Sequence, residues 1–153
     1  MSESNSLRFD ILDHVMLIVH ADMPPTDSDW TRMMMVRNAH LDKLRSVLVI
    51  AQPRAGINAS QRSDAATFMK SEGRRIVVVT DSAWIRGLAR AVSLLGVNVR
   101  AFAPNELSRA LEFALVPASS HADFVRRIET MKAQLGVNPR GASPPDPRPR
   151  PGA

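Results

Sequence analysis

The side chains whose types and places in the sequence could do chemistry are few. Asp22 follows the apolar run HVMLIVHA and Asp81 follows RIVVVT. An aspartate at the carboxyl end of a parallel strand is where a receiver-type phosphoacceptor or magnesium site would begin. Such a site also wants an acidic pair after the first parallel strand and a lysine after the last. Here Asp22 has no acidic neighbour, and Ala103-Pro104 closes the last strand without a lysine. Asp81 with Ser82 therefore reads as a helix cap, a role worth about 1 kcal/mol. His14, His20, His40 and His121 are the only imidazoles; His14 and His20 would share a strand face at i and i+6, yet no glutamate or third histidine joins them at ligand spacing.

Zero cysteines remove thiol nucleophiles, zinc knuckles, iron–sulfur clusters and disulfide scaffolds together. No G-x-S-x-G elbow, Walker A loop or dinucleotide fingerprint is present, and the seven glycines are spaced as helix stops and loop residues. The expectation is no enzyme, no cofactor and no metal. One local feature remains. Met33, Met34 and Met35 follow Trp30 by one turn, and three successive positions sweep about 200° of a helix, so at least one of them must sit at a boundary. A pliable thioether there suits either uneven core filling or an apolar ligand held by Trp30, Met33 and Met34.

The elements that must position these residues alternate. LRFDIL and HVMLIVHA are strand-like runs separated only by Asp13, which predicts a hairpin or a bent strand. Thr26 with Asp29 forms a capping-box pattern before a helix carrying Trp30, Met33, Met34, Arg37 and Leu41. SVLVIA is a continuous apolar strand, PRAGIN a loop, and Asn58 with Gln61 opens a helix bearing Ala65, Ala66 and Met69 that stops at Gly73. RIVVVT is the next apolar strand, followed by a helix with Trp84, Ile85, Leu88, Val92 and Leu95 closed by Gly96. VNVRAFA is the last strand, and Pro104 with Glu106 starts a helix through Leu107, Leu111 and Leu115. Apolar strands alternating with amphipathic helices predict a mainly parallel sheet covered on both faces.

Composition shifts divide the chain. Residues 1–6 read as a disordered N-terminus, 7–117 as one α/β domain, 118–138 as an amphipathic helix, and 139–153 as a disordered tail holding six of the eleven prolines. In the 118–138 helix Ser120 is placed to cap with Asp123, and Phe124, Ile128, Met131 and Leu135 make one stripe up to Gly136. That stripe could fold back on the domain or pair with a second copy as a homodimer. The formal charge of +5 is spread thinly, with +2 of it in the tail, and aromatics are only 5% of residues, so no specific nucleic-acid partner is expected. No apolar run approaches the roughly 18 residues that span a bilayer. A cytoplasmic protein with no membrane span is expected.

The run RRIVVVTDSAWIRGLARAVSLLGVNVRAFAPNELSRALEFAL, with PPTDSDW upstream, resembles the STAS-like proteins, the anti-sigma-factor-antagonist fold and its small bacterial relatives. The similarity covers roughly residues 7–116. It implies a STAS-like mixed, mainly parallel sheet of four to five strands with four helices, to which the C-terminal helix and tail are additions. It also implies a non-catalytic module of bacterial regulation that docks on a protein partner, often under control of serine phosphorylation.

In antagonist members an Asp-Ser-Ser-Gly motif starts the helix after the middle strand, and its first serine is the acceptor. The matching stretch here is Asn58-Ala59-Ser60-Gln61, with alanine at the acceptor position and glutamine at the glycine. Ser60 or Ser63 could serve instead, since negative charge is favoured at a helix N-terminus; the plainer reading of both is as first-turn, solvent-facing residues. Arg54, Gly56, Asn58 and Ser60, with Trp84 and Arg86 at the next strand end, are the expected partner-reading residues. An apolar-ligand or lipid-binding domain built on the methionine helix is the rival reading.

Overall fold

The computed structural model describes residues 6–69 and 74–137, with the side chain of Met69 excepted. The chain runs β1 (Leu7–Leu12), β2 (Val15–His20), α1 (Asp27–Ala39), β3 (Ser46–Ala51), α2 (Ala59–Met69), β4 (Arg75–Thr80), α3 (Ala83–Ser93), β5 (Val99–Phe102), α4 (Leu107–Phe113) and α5 (His121–Gln134). The five strands lie side by side in chain order; β1 is antiparallel to β2, and β2 to β5 are mutually parallel. This is the expected mixed, mainly parallel α/β sheet.

The β1–β2 connection is a tight hairpin. Leu12 pairs with Val15, and Asp13 takes a left-handed conformation with φ of 55°. Aspartate is one of the few residues that accepts this region, because its short polar side chain can bond locally.

Alternation along the strands sends side chains to two cores. On one face Leu17, Leu48, Val77 and Phe102 meet Ala110 and Leu111 of α4 and Phe124, Ile128 and Met131 of α5. On the other, Met16, Ile18 and Val47 meet Leu7, Trp30, Met33 and Phe68. Every residue of β2 is buried, as a strand covered on both sides requires.

The α5 stripe therefore folds back: Phe124, Ile128 and Met131 are at most 3% exposed within the chain's own core. Ser120 precedes α5 but makes no side-chain cap bond, since its backbone already lies in a helical region at the end of a short turn, Ala118–Ser120.

Ser6, expected in a disordered N-terminus, is instead fully buried. The Ala21 N–H donates to its carbonyl at 2.9 Å, which extends the β1–β2 ladder by one residue. Its hydroxyl donates to the Asp29 carboxylate and accepts from the Thr26 N–H at 3.1 Å. The α1 capping box is thus half as the sequence suggests: Thr26 Oγ1 accepts from the Asp29 N–H at 3.1 Å, while the Asp29 side chain turns to Ser6 rather than back to Thr26. The box at α2 is complete, with the Asn58 N–H donating to Gln61 Oε1 at 3.1 Å and the Gln61 N–H to Asn58 Oδ1 at 2.9 Å. Gly73, the expected stop of α2, and the 139–153 tail lie outside the described residues.

Helix α3 departs most from its expected packing. Trp84, Leu88 and Leu95 are 78%, 49% and 81% exposed, and Ala89 is its one buried residue. The cause is position: α3 covers β4 and β5 at the end of the sheet, where among the described residues no further strand extends the sheet beneath it.

Candidate docking face at the strand ends

Because β2 to β5 are parallel, the loops that follow them gather at one end of the sheet. Asp22 is exposed there without an acidic partner among the described residues, and it is held by a neighbouring loop. Its carboxylate accepts the Arg54 N–H at 2.9 Å, and its second oxygen lies 3.8 Å from the Arg54 guanidinium. The bond ties the loop after β2 to the loop after β3. Gly56 is exposed, and an added Cβ there would meet nothing within 4 Å.

Asn58 is held by the capping box, which leaves Ala59 and Ser60 exposed in the first turn of α2. That turn contains no acidic residue, so its N-terminal dipole is uncompensated. Ser63 is also exposed, one turn on, and its carbonyl accepts from the Thr67 hydroxyl at 3.1 Å.

The neighbouring strand end supplies the rest, since Ala51 of β3 is in register with Thr80 of β4. Asp81 is exposed and does not cap α3; the cap is Ser82, whose hydroxyl accepts from the Ile85 N–H at 3.2 Å. Trp84 projects from the first turn, and Arg86 donates to the Thr80 carbonyl at 2.9 Å. The predicted residues on the two loops thus share one end of the sheet. Arg54, Gly56, Asn58, Ser60 and Trp84 are exposed, and Arg86 is half-buried beside them.

The methionine helix has a different role. Trp30 and Met33 are core residues, Met34 packs partly against them, and only Met35, 68% exposed, faces solvent. The Trp30 indole N–H donates to Asp64 Oδ2 at 2.9 Å, which anchors α1 to α2. The histidine pair is separated: His14 lies in the hairpin turn with Nε2 3.1 Å from the Leu115 carbonyl, and His20 is buried at the far end of β2. Burial pushes the His20 imidazole down to about 4, and its Nδ1 has no hydrogen-bond partner among the described residues. No group of three or more metal-ligating side chains occurs among the described residues. None of their helices is long and apolar enough to cross a membrane.

Sequence reasoning missed a second cationic place. Arg90 and Arg100 line a trough between α3 and β5 together with Arg86. Ten residues apart in sequence, the two read as isolated solvated charges; only the pairing of β5 with β4 under α3 places both at the β5 edge, Arg90 on the α3 side and the Arg100 guanidinium over Phe113 of α4.

The ligand end of this mixed α/β sheet offers an exposed loop and two helix starts. The chain belongs to the SpoIIAA-like family, whose sequence model matches residues 13–115, from the hairpin turn to the end of α4. Strand β1 and helix α5 lie outside that span. This confirms the STAS-like resemblance and places the chain among the STAS-type protein-interaction and regulatory domains, a generally non-enzymatic fold. A search of curated proteins finds no match.

Proposed function

We propose that the chain is a non-enzymatic regulatory module of the bacterial cytoplasm that docks on a protein partner through the β3–α2 loop and the start of α3. The observation that carries this reading is the exposed Trp84 on the same sheet end as the exposed Arg54, Gly56, Asn58 and Ser60. Aromatic and arginine side chains dominate binding energy at interfaces, and a tryptophan left in water has given up the burial it would otherwise gain. Arg54, Gly56, Asn58 and Ser60 supply the polar rim, and Arg86 is held by Thr80 beside Trp84.

Regulation by phosphorylation fits Ser60 better than Ser63. Ser60 sits in the first helical turn, where backbone N–H groups and the uncompensated dipole favour added negative charge, whereas Ser63 is a turn further along. The Ala59 side chain offers no acceptor at the position used by antagonist relatives.

The test begins with affinity capture from the native cytoplasm and repeats the binding with the identified, purified partner. Arg54→Glu and Trp84→Ala should each weaken the complex by about 2 kcal/mol, the scale of an interface hot spot, with unchanged circular dichroism. Full affinity in both variants would remove this face from consideration. Phosphopeptide mapping addresses the switch; modification at neither serine leaves constitutive docking.

A further inference from the structure

We infer that the open edge of β5, flanked by the arginines of α3, accepts an extended acidic segment of a protein partner as an added strand. Among the described residues β5 is the last strand of the sheet and pairs on one side only, with β4. Its other side is a template for an incoming backbone. Between this edge and α3 lies a trough of about 640 Å³ lined by Arg86, Gly87, Arg90, Val99, Arg100 and Ala101 among others, with no acidic side chain in the lining. None of these arginines forms a salt bridge among the described residues: Arg86 donates to the Thr80 carbonyl, and the Arg100 guanidinium stacks 4.9 Å from the Phe113 ring. The wall between Arg86 and Arg90 is open at Gly87, where an added Cβ would meet nothing within 4 Å.

The geometry matches a strand in two ways. Arg86 and Arg90 are one helical turn apart, a rise of about 6 Å, close to the roughly 6.6 Å between alternate side chains of an extended chain. Val99 and Ala101 face α3, while Arg100 points to the opposite side with Phe102, over α4. A strand added beside β5 would therefore present residues i and i+2 to Arg86 and Arg90, and residue i+1 to Arg100. Three successive carboxylates satisfy all three, with charge-assisted bonds that arginine makes well.

Two other occupants fit poorly. A second copy paired edge to edge would bring the same arginines against one another. The chain's own residues 139–153 carry three arginines to one aspartate and six prolines, which lack the N–H a ladder needs.

The inference is independent of the docking face above and shares only Arg86 with it. The probe is a fluorescent peptide with three successive glutamates between threonine and valine residues, titrated into the full chain and read by anisotropy. Binding should weaken with added salt. It should fall by about tenfold or more in Arg90→Glu and in Arg100→Glu, the loss expected for one charged contact, and stay unchanged in Arg54→Glu. The same peptide N-methylated at alternate backbone nitrogens keeps its charge but cannot pair, and should not bind. No binding of the parent peptide would show that the arginines only shield the edge from aggregation. Equal binding of the N-methylated peptide, of polyphosphate or of an RNA oligomer would show an unselective anionic surface. Either result overturns the proposal, as would full affinity in Arg90→Glu with its fold intact.

Discussion

The Asp22 carboxylate holds the backbone of Arg54, accepting its N–H at 2.9 Å, while the Arg54 side chain stays 82% exposed. The bond fixes the loop and leaves the guanidinium available. An exposed ion pair of this kind adds at most about 1 kcal/mol, so its importance is to local order more than to global stability. In Asp22→Ala the Arg54 amide should exchange with solvent faster while the denaturation midpoint hardly moves. Hydrogen-exchange mass spectrometry of the loop peptide measures this, and unaltered exchange would mean that the loop is ordered by something else.

Ser6 completes α1 from outside it. Its hydroxyl and N–H both donate to the buried Asp29 carboxylate, and Asp29 also faces Arg32 at 3.3 Å. Removing the hydroxyl in Ser6→Ala takes a donor from Asp29 and an acceptor from the Thr26 N–H. A loss of about 1 to 3 kcal/mol is expected for leaving such groups short of a partner. Urea denaturation reports it directly; a midpoint equal to that of the parent chain would show that water replaces the hydroxyl at no cost.

Helix ends show what the sequence could and could not reveal. Helix α5 stops at Gly136, with φ of 70°, where the Val137 N–H reaches the Lys132 carbonyl and the Gly136 N–H reaches that of Ala133. Glycine at that position is the usual signal, and it was legible. Helix α4 ends in the same pattern, with Val116 N–H to the Leu111 carbonyl and Leu115 N–H to that of Glu112, but Leu115 occupies the left-handed position with φ of 67°. Nothing in the local sequence signals this. The stop there is held by tertiary bonds, the Ser46 hydroxyl to the Ala114 carbonyl and His14 to that of Leu115.

The same distinction holds for the rest of the fold. β3, β4 and the Asn58–Gln61 box rest on contiguous residues and could be read in advance. Ser6, Phe68 and the bare outer side of α3 depend on partners, or on missing neighbours, far along the chain. The candidate face was legible because its residues cluster within two loops; the arginine trough was not, because an edge strand is known only once the sheet order is.

Gly136 allows the backbone term to be isolated. An added Cβ meets nothing within 4 Å, so Gly136→Ala changes only the cost of the left-handed conformation and the freedom of the unfolded chain. About 1 kcal/mol of destabilisation is expected, focused on the last turn of α5. Thermal unfolding of parent and variant gives the difference, and a variant as stable as the parent would show that the α5 terminus rearranges to avoid the strain.

His20 gives the fold a pH dependence whose sign follows from its burial. The imidazole is 4% exposed, and its pKa falls from 6.5 to about 4 through desolvation of the charged form. Between those values the unfolded chain binds a proton that the folded chain refuses. Stability from this residue is therefore fully present above about pH 6.5, declines as pH falls, and stops declining below about 4. Within that window the slope approaches about 1.4 kcal/mol per pH unit. His20→Gln, which does not titrate, should flatten the stability profile between pH 4.5 and 7 without changing it above 7 beyond a constant offset. Urea titrations of both proteins across this range decide the matter: parallel profiles would mean that the imidazole is protonated in the fold, with water or a local opening relieving its burial.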